Sequence, residues 1–165
     1  MIDIEELLIK LSSHVATCKS SSFVCTAQAA FESWFRVELV PVLWEFKYSL
    51  SSIETNYTYP SSKDKADLCV RDRLGDIVFE LKSFVYGQDS NKKEKYPSQI
   101  KKLEKLIADQ NVLQVVALTT FIGYSETQMT NYMRHFFASV QWNIIGPTRL
   151  IKQYPLNVSV ASIRK

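Results

Sequence analysis

The chain has 165 residues, a net charge of +3, 46% apolar and 22% charged residues. This length suits one domain with a substantial core and excludes two ordinary ones, and the composition excludes a disordered chain. The mild positive charge permits an anionic partner without requiring one. Cys18, Cys25 and Cys69 form an odd set with no paired spacing, which argues against a disulfide framework and for a reducing compartment. Only His14 and His135 could complete a zinc site with them, and neither is read as sitting at ligand spacing. The segment MIDIEELLIK carries acids where a secretory signal carries bases, and no apolar run reaches membrane-spanning length. The expected location is therefore the cytoplasm, with no membrane partner.

Ile4, Leu7, Leu8, Leu11 and Val15 recur at helical spacing, predicting an amphipathic helix over residues 3–16. A Ser- and Cys-rich loop is expected over 17–25. A second helix should start at Thr26, an N-cap residue, and run to Tyr48 with Phe31, Trp34, Phe35 and Val42 as its apolar stripe. Pro41 lies inside it and predicts a kink or break. Ile53 to Tyr59 reads as a strand ended by Pro60. From Lys63 to Phe84 the chain reads as two strands joined by a Gly-containing turn. A polar loop is expected over 87–96, then a helix from Pro97 to Asp109 with Ile100, Leu103 and Ile107 inward. Val112 to Leu118 has the near-continuous apolar pattern of a strand buried on both faces.

Ser125 and Gln128 form a capping box opening a helix with Met129, Tyr132, Met133, Phe136, Phe137 and Val140 on one side. Two short strands, 142–151 and 157–163, close the chain. Trp34, Trp44 and Trp142 read as core residues and His135 as a helix-face residue, while Ser12, Ser13, His14 and the serines of 20–22 read as loop residues in preference to a nucleophilic set, since no triad geometry is implied. The expected fold is one α/β domain with a mixed central sheet flanked by helices.

The chemistry is concentrated in the hairpin. Side chains alternate along a strand, so Glu80 and Lys82 share a face, and with an even-length connection odd-numbered Asp67 joins them. The opposite face then holds Ala66, Leu68, Val70, Ile77, Phe79 and Leu81 and is wholly apolar. Two converging carboxylates form a hard-oxygen site suited to Mg²⁺ or Mn²⁺, which can polarise a phosphoryl oxygen and acidify a bound water. Lys82 could orient that water or stabilise transition-state charge. The alternative is a cross-strand salt bridge on a solvated face. Val78, Phe84 and Cys69 around the charges weigh against it, because buried charge needs compensation.

In this order and context the residues resemble the PD-(D/E)XK, or restriction-endonuclease-like, nucleases. Glu38 in FRVEL, Asp67 in KADLCV and Glu80-Leu81-Lys82 in VFELKSF carry the likeness, with a helix and a strand following as that family requires. The resemblance covers residues 26–120 and implies an αβββαβ core, preceded here by the helix at 3–16 and followed by the helix and strands of 125–163. It implies that Asp67, Glu80 and the Leu81 carbonyl bind the metal, and that Lys82 positions or activates water. Glu38 would be an accessory or supporting carboxylate, and Gln99 a helical residue near the site. A tyrosine found four residues later in some branches is Leu103 here, and Ala66 stands where many members have proline.

The expected function is hydrolysis of phosphodiester bonds, in DNA before RNA, with Lys92, Lys93, Lys95, Lys101, Lys102 and Lys105 contacting backbone phosphates. The same lysines would also suit a solvated helix face. Paired cuts would favour a homodimer or larger complex. The rival is a catalytically silent binding protein of the same fold, as a subunit of a defence or mobile-element complex or an immunity-type partner. A third reading is hydrolysis of another phosphate ester.

Overall fold

The computed structural model describes residues 1–18, 31–58, 65–139, 141–151 and 156–165. The expected N-cap at Thr26, the loop with Ser20 to Ser22 and Cys25, the strand end at Tyr59 and Pro60, the hairpin lead-in at Lys63, and Val140 lie outside these residues. Among the described residues, four α-helices flank one six-stranded mixed sheet. The helices are α1 (Ile4–Thr17), α2 (Phe31–Glu45), α3 (Ser90–Leu106) and α4 (Glu126–Phe136). The strands are β1 (Ile53–Thr58), β2 (Lys65–Asp72), β3 (Gly75–Val85), β4 (Val112–Ile122), β5 (Asn143–Ile151) and β6 (Leu156–Arg164).

The strand order is β1-β2-β3-β4-β6-β5. Among these strands only β3 and β4 pair in parallel, and the return they require is made by α3. Strand alternation divides the core. Leu68, Val70, Ile77, Phe79, Leu81, Val116 and Leu118 pack with α1 and α2 on one face. Cys69, Val78, Phe84, Val115, Ala117 and Phe121 pack with α3 and α4 on the other. β4 is thus apolar on both sides, as its composition predicts. Ala66 departs from expectation and packs in the second cluster. Both strands change face between the pairs Thr55–Leu68 and Tyr57–Ala66, the step at which Asn56 takes a left-handed φ of +55°.

α1 begins as read, with the Asp3 carboxylate accepting the Glu5 and Glu6 amides. α2 runs through Pro41 without a break and stops at Glu45. The Ser125–Gln128 capping box forms and opens α4, where His135 is exposed. The largest correction is α3, which starts at Ser90 and takes in most of the segment expected as a loop. Asp89, ahead of its first turn, is buried, accepts the Val85 amide and pairs with Lys92 at 3.4 Å, so the polar run is anchored from below. Pro97 therefore sits in the helix interior instead of its first turn. Trp142 is buried and donates to Glu104, whereas Trp44 is 65% exposed and is no core residue.

The hairpin turns tightly at Arg73 and Leu74. Gly75 follows at φ +141°, where an added Cβ would lie 2.6 Å from the Asn111 carbonyl oxygen. The β2–β3 register pairs Leu68 with Phe79 and Cys69 with Val78. It leaves Asp67 one step beyond the last pair of the ladder.

Candidate active site at the fork between two strands

β2 and β3 stay paired from Asp72–Gly75 to Leu68–Phe79, and one step further the ladder gives way. There Asp67 Oδ2 accepts the Leu81 amide at 2.8 Å, a carboxylate taking the place of a backbone acceptor. Two residues on, the Ser83 amide faces the same edge and donates at 3.0 Å to Glu32 Oε1, from the first described turn of α2. The opened edge of β3 is thus satisfied by two carboxylates. A residue's N–H and C=O point to the same strand edge, so the Leu81 carbonyl faces this opening as well.

Glu80 and Lys82 alternate with Leu81 and share the face of Val78 and Phe84, as the hairpin pattern predicts. Lys82 Nζ lies 3.5 Å from Glu32 Oε1. Glu80 makes no hydrogen bond and no ion pair among the described residues, although it is largely withdrawn from solvent. Burial, then the neighbouring Asp67 carboxylate, pushes its carboxyl up to about 8, with Lys82 opposing. Burial also raises Asp67, against the Leu81 amide, Arg36 and Lys82. Tyr96 is fully buried beneath the same face, with its hydroxyl 3.1 Å from Thr119 Oγ1. Its pKa rises through burial and then through the charges of Glu80, Glu32 and Asp67, so one electrostatic neighbourhood contains all four groups.

Arg36, one helical turn beyond Glu32, completes the set. Its Nη1 donates to Asn56 Oδ1 at 3.2 Å and lies 3.8 Å from Asp67 Oδ1.

Glu38 is elsewhere. It accepts from His14 Nε2 at 2.8 Å and from Cys18 Sγ at 3.3 Å, tying α2 to α1. Six residues separate it from Glu32, which on a 3.6-residue helix is about 120° around the axis. One carboxylate meets β3 and the other meets α1. The sequence signal for Glu32 was its place beside buried Phe31 and four residues before Arg36. His14 on α1 and Cys18 just past its end converge on Glu38, an arrangement that the sequence alone did not disclose.

The structure gives Gln99 no bond to the cluster; its Oε1 is buried on α3 without a partner among the described residues. Of the lysines, Lys92 pairs with Asp89, and Lys93 Nζ stands 5.0 Å from the ring centres of both Tyr124 and Tyr132. Lys95, Lys101, Lys102 and Lys105 are exposed along α3.

The donor set can be tested for a divalent cation. Among the described residues, no group of three or more His, Cys, Asp or Glu side chains gathers as a metal site. What the fork offers is a carboxylate pair, Asp67 and Glu80, and the strand carbonyl of Leu81. All are hard oxygen donors, and Glu80 lacks any counter-charge in contact among the described residues. In chemical type these are the ligands that Mg²⁺ and Mn²⁺ prefer. Two cavities lined by described residues lie away from it: about 320 Å³ beside Tyr124, Met129 and Arg149, and about 470 Å³ between α1 and β5. Compared with family models, curated proteins and solved structures, the chain finds no match in any of the three, so the chemistry is read from its own side chains.

Proposed function

We propose that this protein is a metal-dependent nuclease of the PD-(D/E)XK type, hydrolysing phosphodiester bonds, in DNA before RNA. The observation that carries the reading is Glu80, a largely buried carboxyl with no partner among the described residues, held beside Asp67 and Lys82 where two strands part. Leaving a carboxyl unpaired in a desolvated site costs stability, and such expense is typical of functional sites. Asp67, Glu80 and the Leu81 carbonyl would hold the cation, with Glu32 as the helix-borne carboxylate in the place that the family resemblance gives to Glu38. When bound, the cation supplies Lewis acidity and a more acidic water. Lys82 would orient the attacking water and stabilise charge on the phosphoryl oxygens, while Glu32 holds the ammonium in position. The exposed lysines of α3 would add sequence-independent contacts to phosphates.

The test is digestion of a panel of single- and double-stranded DNA and RNA in Mn²⁺ or Mg²⁺, beside Asp67→Ala and Glu80→Ala. Cleavage should need the metal and fall at least about a hundredfold in each variant. Equal activity of wild type and variants would refute the assignment.

One observation favours a second reading. Asp67 and Glu32 already satisfy two amides of β3, which a fork in a non-catalytic binding protein also needs. In that case wild type cleaves nothing, and Mn²⁺ leaves its melting temperature unchanged.

A further inference from the structure

We infer that Arg36 is the phosphate-binding residue of this site, gripping the substrate's phosphodiester group beside Asp67; the assignment rests on the nuclease reading above. The Arg36 side chain is three-quarters withdrawn from solvent. Its contacts are one-sided. Nη1 serves both Asn56 and Asp67, while Nε and Nη2 meet no acceptor among the described residues. A guanidinium carries five N–H donors in a planar fork suited to two oxygens of one phosphate, so the open edge is the part that recognition requires.

Its position is built. Glu32 and Arg36 leave α2 one turn apart, and Glu32 is fixed on the Ser83 amide. Arg36 is oriented by Asn56, a residue in left-handed backbone conformation at the step where β1 and β2 lose their regular alternation. The contact with Asp67 is long, 3.8 Å, against 3.2 Å to Asn56. Asn56 thus holds the side chain, and Asp67 can turn toward a cation without releasing it.

Charge balance agrees. With every group ionised, Glu32, Asp67 and Glu80 against Arg36 and Lys82 leave one net negative charge. A divalent cation reverses that to one positive, which a single phosphodiester group neutralises. Without Arg36 the metal-loaded site would be neutral and would lose its attraction for the substrate anion.

The test uses the full chain in Ca²⁺, with fluorescence anisotropy of labelled single-stranded and duplex oligonucleotides, and wild type, Arg36→Ala, Arg36→Lys and Asn56→Ala. Arg36→Ala should weaken binding about tenfold or more, with Arg36→Lys in between, and should lower the salt slope of log affinity by about one. Asn56→Ala should weaken binding less. Mn²⁺ affinity, read from melting temperature, should be equal or tighter in Arg36→Ala because a competing cation is gone. A wholly structural role predicts the reverse pattern, with metal binding damaged and oligonucleotide affinity kept. If Arg36→Ala does not fold, Arg36→Lys carries the test. Metal-dependent cleavage by wild type with unchanged oligonucleotide affinity in the Arg36 variants would overturn this inference alone. Absence of cleavage and of metal binding in wild type would overturn the nuclease reading with it.

Discussion

Glu32 Oε1 stands 3.5 Å from Lys82 Nζ while accepting the Ser83 amide at 3.0 Å, so one carboxylate from α2 fixes both the backbone and the ammonium of β3. Lys82 is mostly buried, and a long flexible ammonium there needs a partner to hold one rotamer. Glu32 is that partner.

The first prediction separates the two carboxylates of α2. Glu32→Gln should keep the amide contact through its carboxamide oxygen but lose the charge that orients Lys82. Nuclease activity in Mn²⁺ should fall about tenfold or more. Glu38→Gln should leave activity within about twofold and cost roughly 0.5–1 kcal/mol of stability, through the partly exposed pair with His14. Parallel activity and urea-unfolding curves of both variants check this; the opposite assignment of effects would return the site to Glu38.

How far this site was legible in advance depends on which backbone period governs it. A strand has period two, so Glu80 and Lys82 had to share a face. Asp67 lies one step beyond the last β2–β3 pair and meets β3 through the Leu81 amide, which alternation did not foretell. The two-sided burial of β4 and the Ser125 capping box, like that shared face, were legible because each is a local pattern. Glu32 was not, because which side of α2 meets β3 is set by rotation about the helix axis, and that rotation is decided by tertiary packing. The apolar stripe of α2 admits either carboxylate at its margin. Asparagine tolerates left-handed backbone, but inside the alternating run of β1 that residue type alone did not mark position 56, so neither the changed face of Ala66 nor the placement of Arg36 followed from alternation. The start of α3 was hidden because its first turn buries no side chain of its own; buried Asp89 beneath it does the anchoring.

The second prediction concerns pH. Glu80 titrates at about 8 in the folded metal-free protein against an ordinary value of 4.5, so the folded state holds a proton that the unfolded chain releases. Stability is then highest below the ordinary value and falls as pH rises from about 4.5 towards 8, by at most about 1.4 kcal/mol per pH unit, levelling off above. Glu80→Gln should flatten this descent and be more stable than wild type above pH 8. Metal binding displaces the same proton, so Mn²⁺ affinity should tighten up to about tenfold per pH unit below 8. Denaturant titrations at several pH values, with and without Mn²⁺, test both. A stability that rises over this interval in wild type and Glu80→Gln alike would show that another group dominates.

The third prediction is a separation of binding from chemistry at Lys82. Lys82→Met keeps the aliphatic stem and removes the ammonium. Cleavage should fall by about 10²–10⁴, while the Mn²⁺-induced rise in melting temperature is kept or increased. A variant that loses metal binding together with cleavage would make Lys82 a structural counter-charge. One that cleaves normally would remove it from the mechanism.

The fourth prediction divides the lysines of α3 by what their ammonium groups touch. Lys93 stands over two tyrosine rings, Tyr124 and Tyr132, each 5.0 Å away, and so spends its charge within the fold. Lys93→Ala should cost about 0.5–1 kcal/mol of stability by removing this cation–π attraction, with little effect on nucleic-acid affinity. Lys95, Lys101 and Lys105 are exposed on α3, and Lys101 and Lys105 lie one helical turn apart. Replacing Lys95, Lys101 and Lys105 together with alanine should leave the melting temperature unchanged and weaken oligonucleotide binding at low salt. The slope of log affinity against log salt should drop by roughly 0.9 for each duplex phosphate that is no longer neutralised. Anisotropy titrations from 50 to about 200 mM salt read this directly, that interval being one over which phosphate-dominated binding changes steeply. If the triple variant binds as wild type does at every salt concentration, α3 is a solvated face and the substrate approaches from the side of α2 and Arg36 alone.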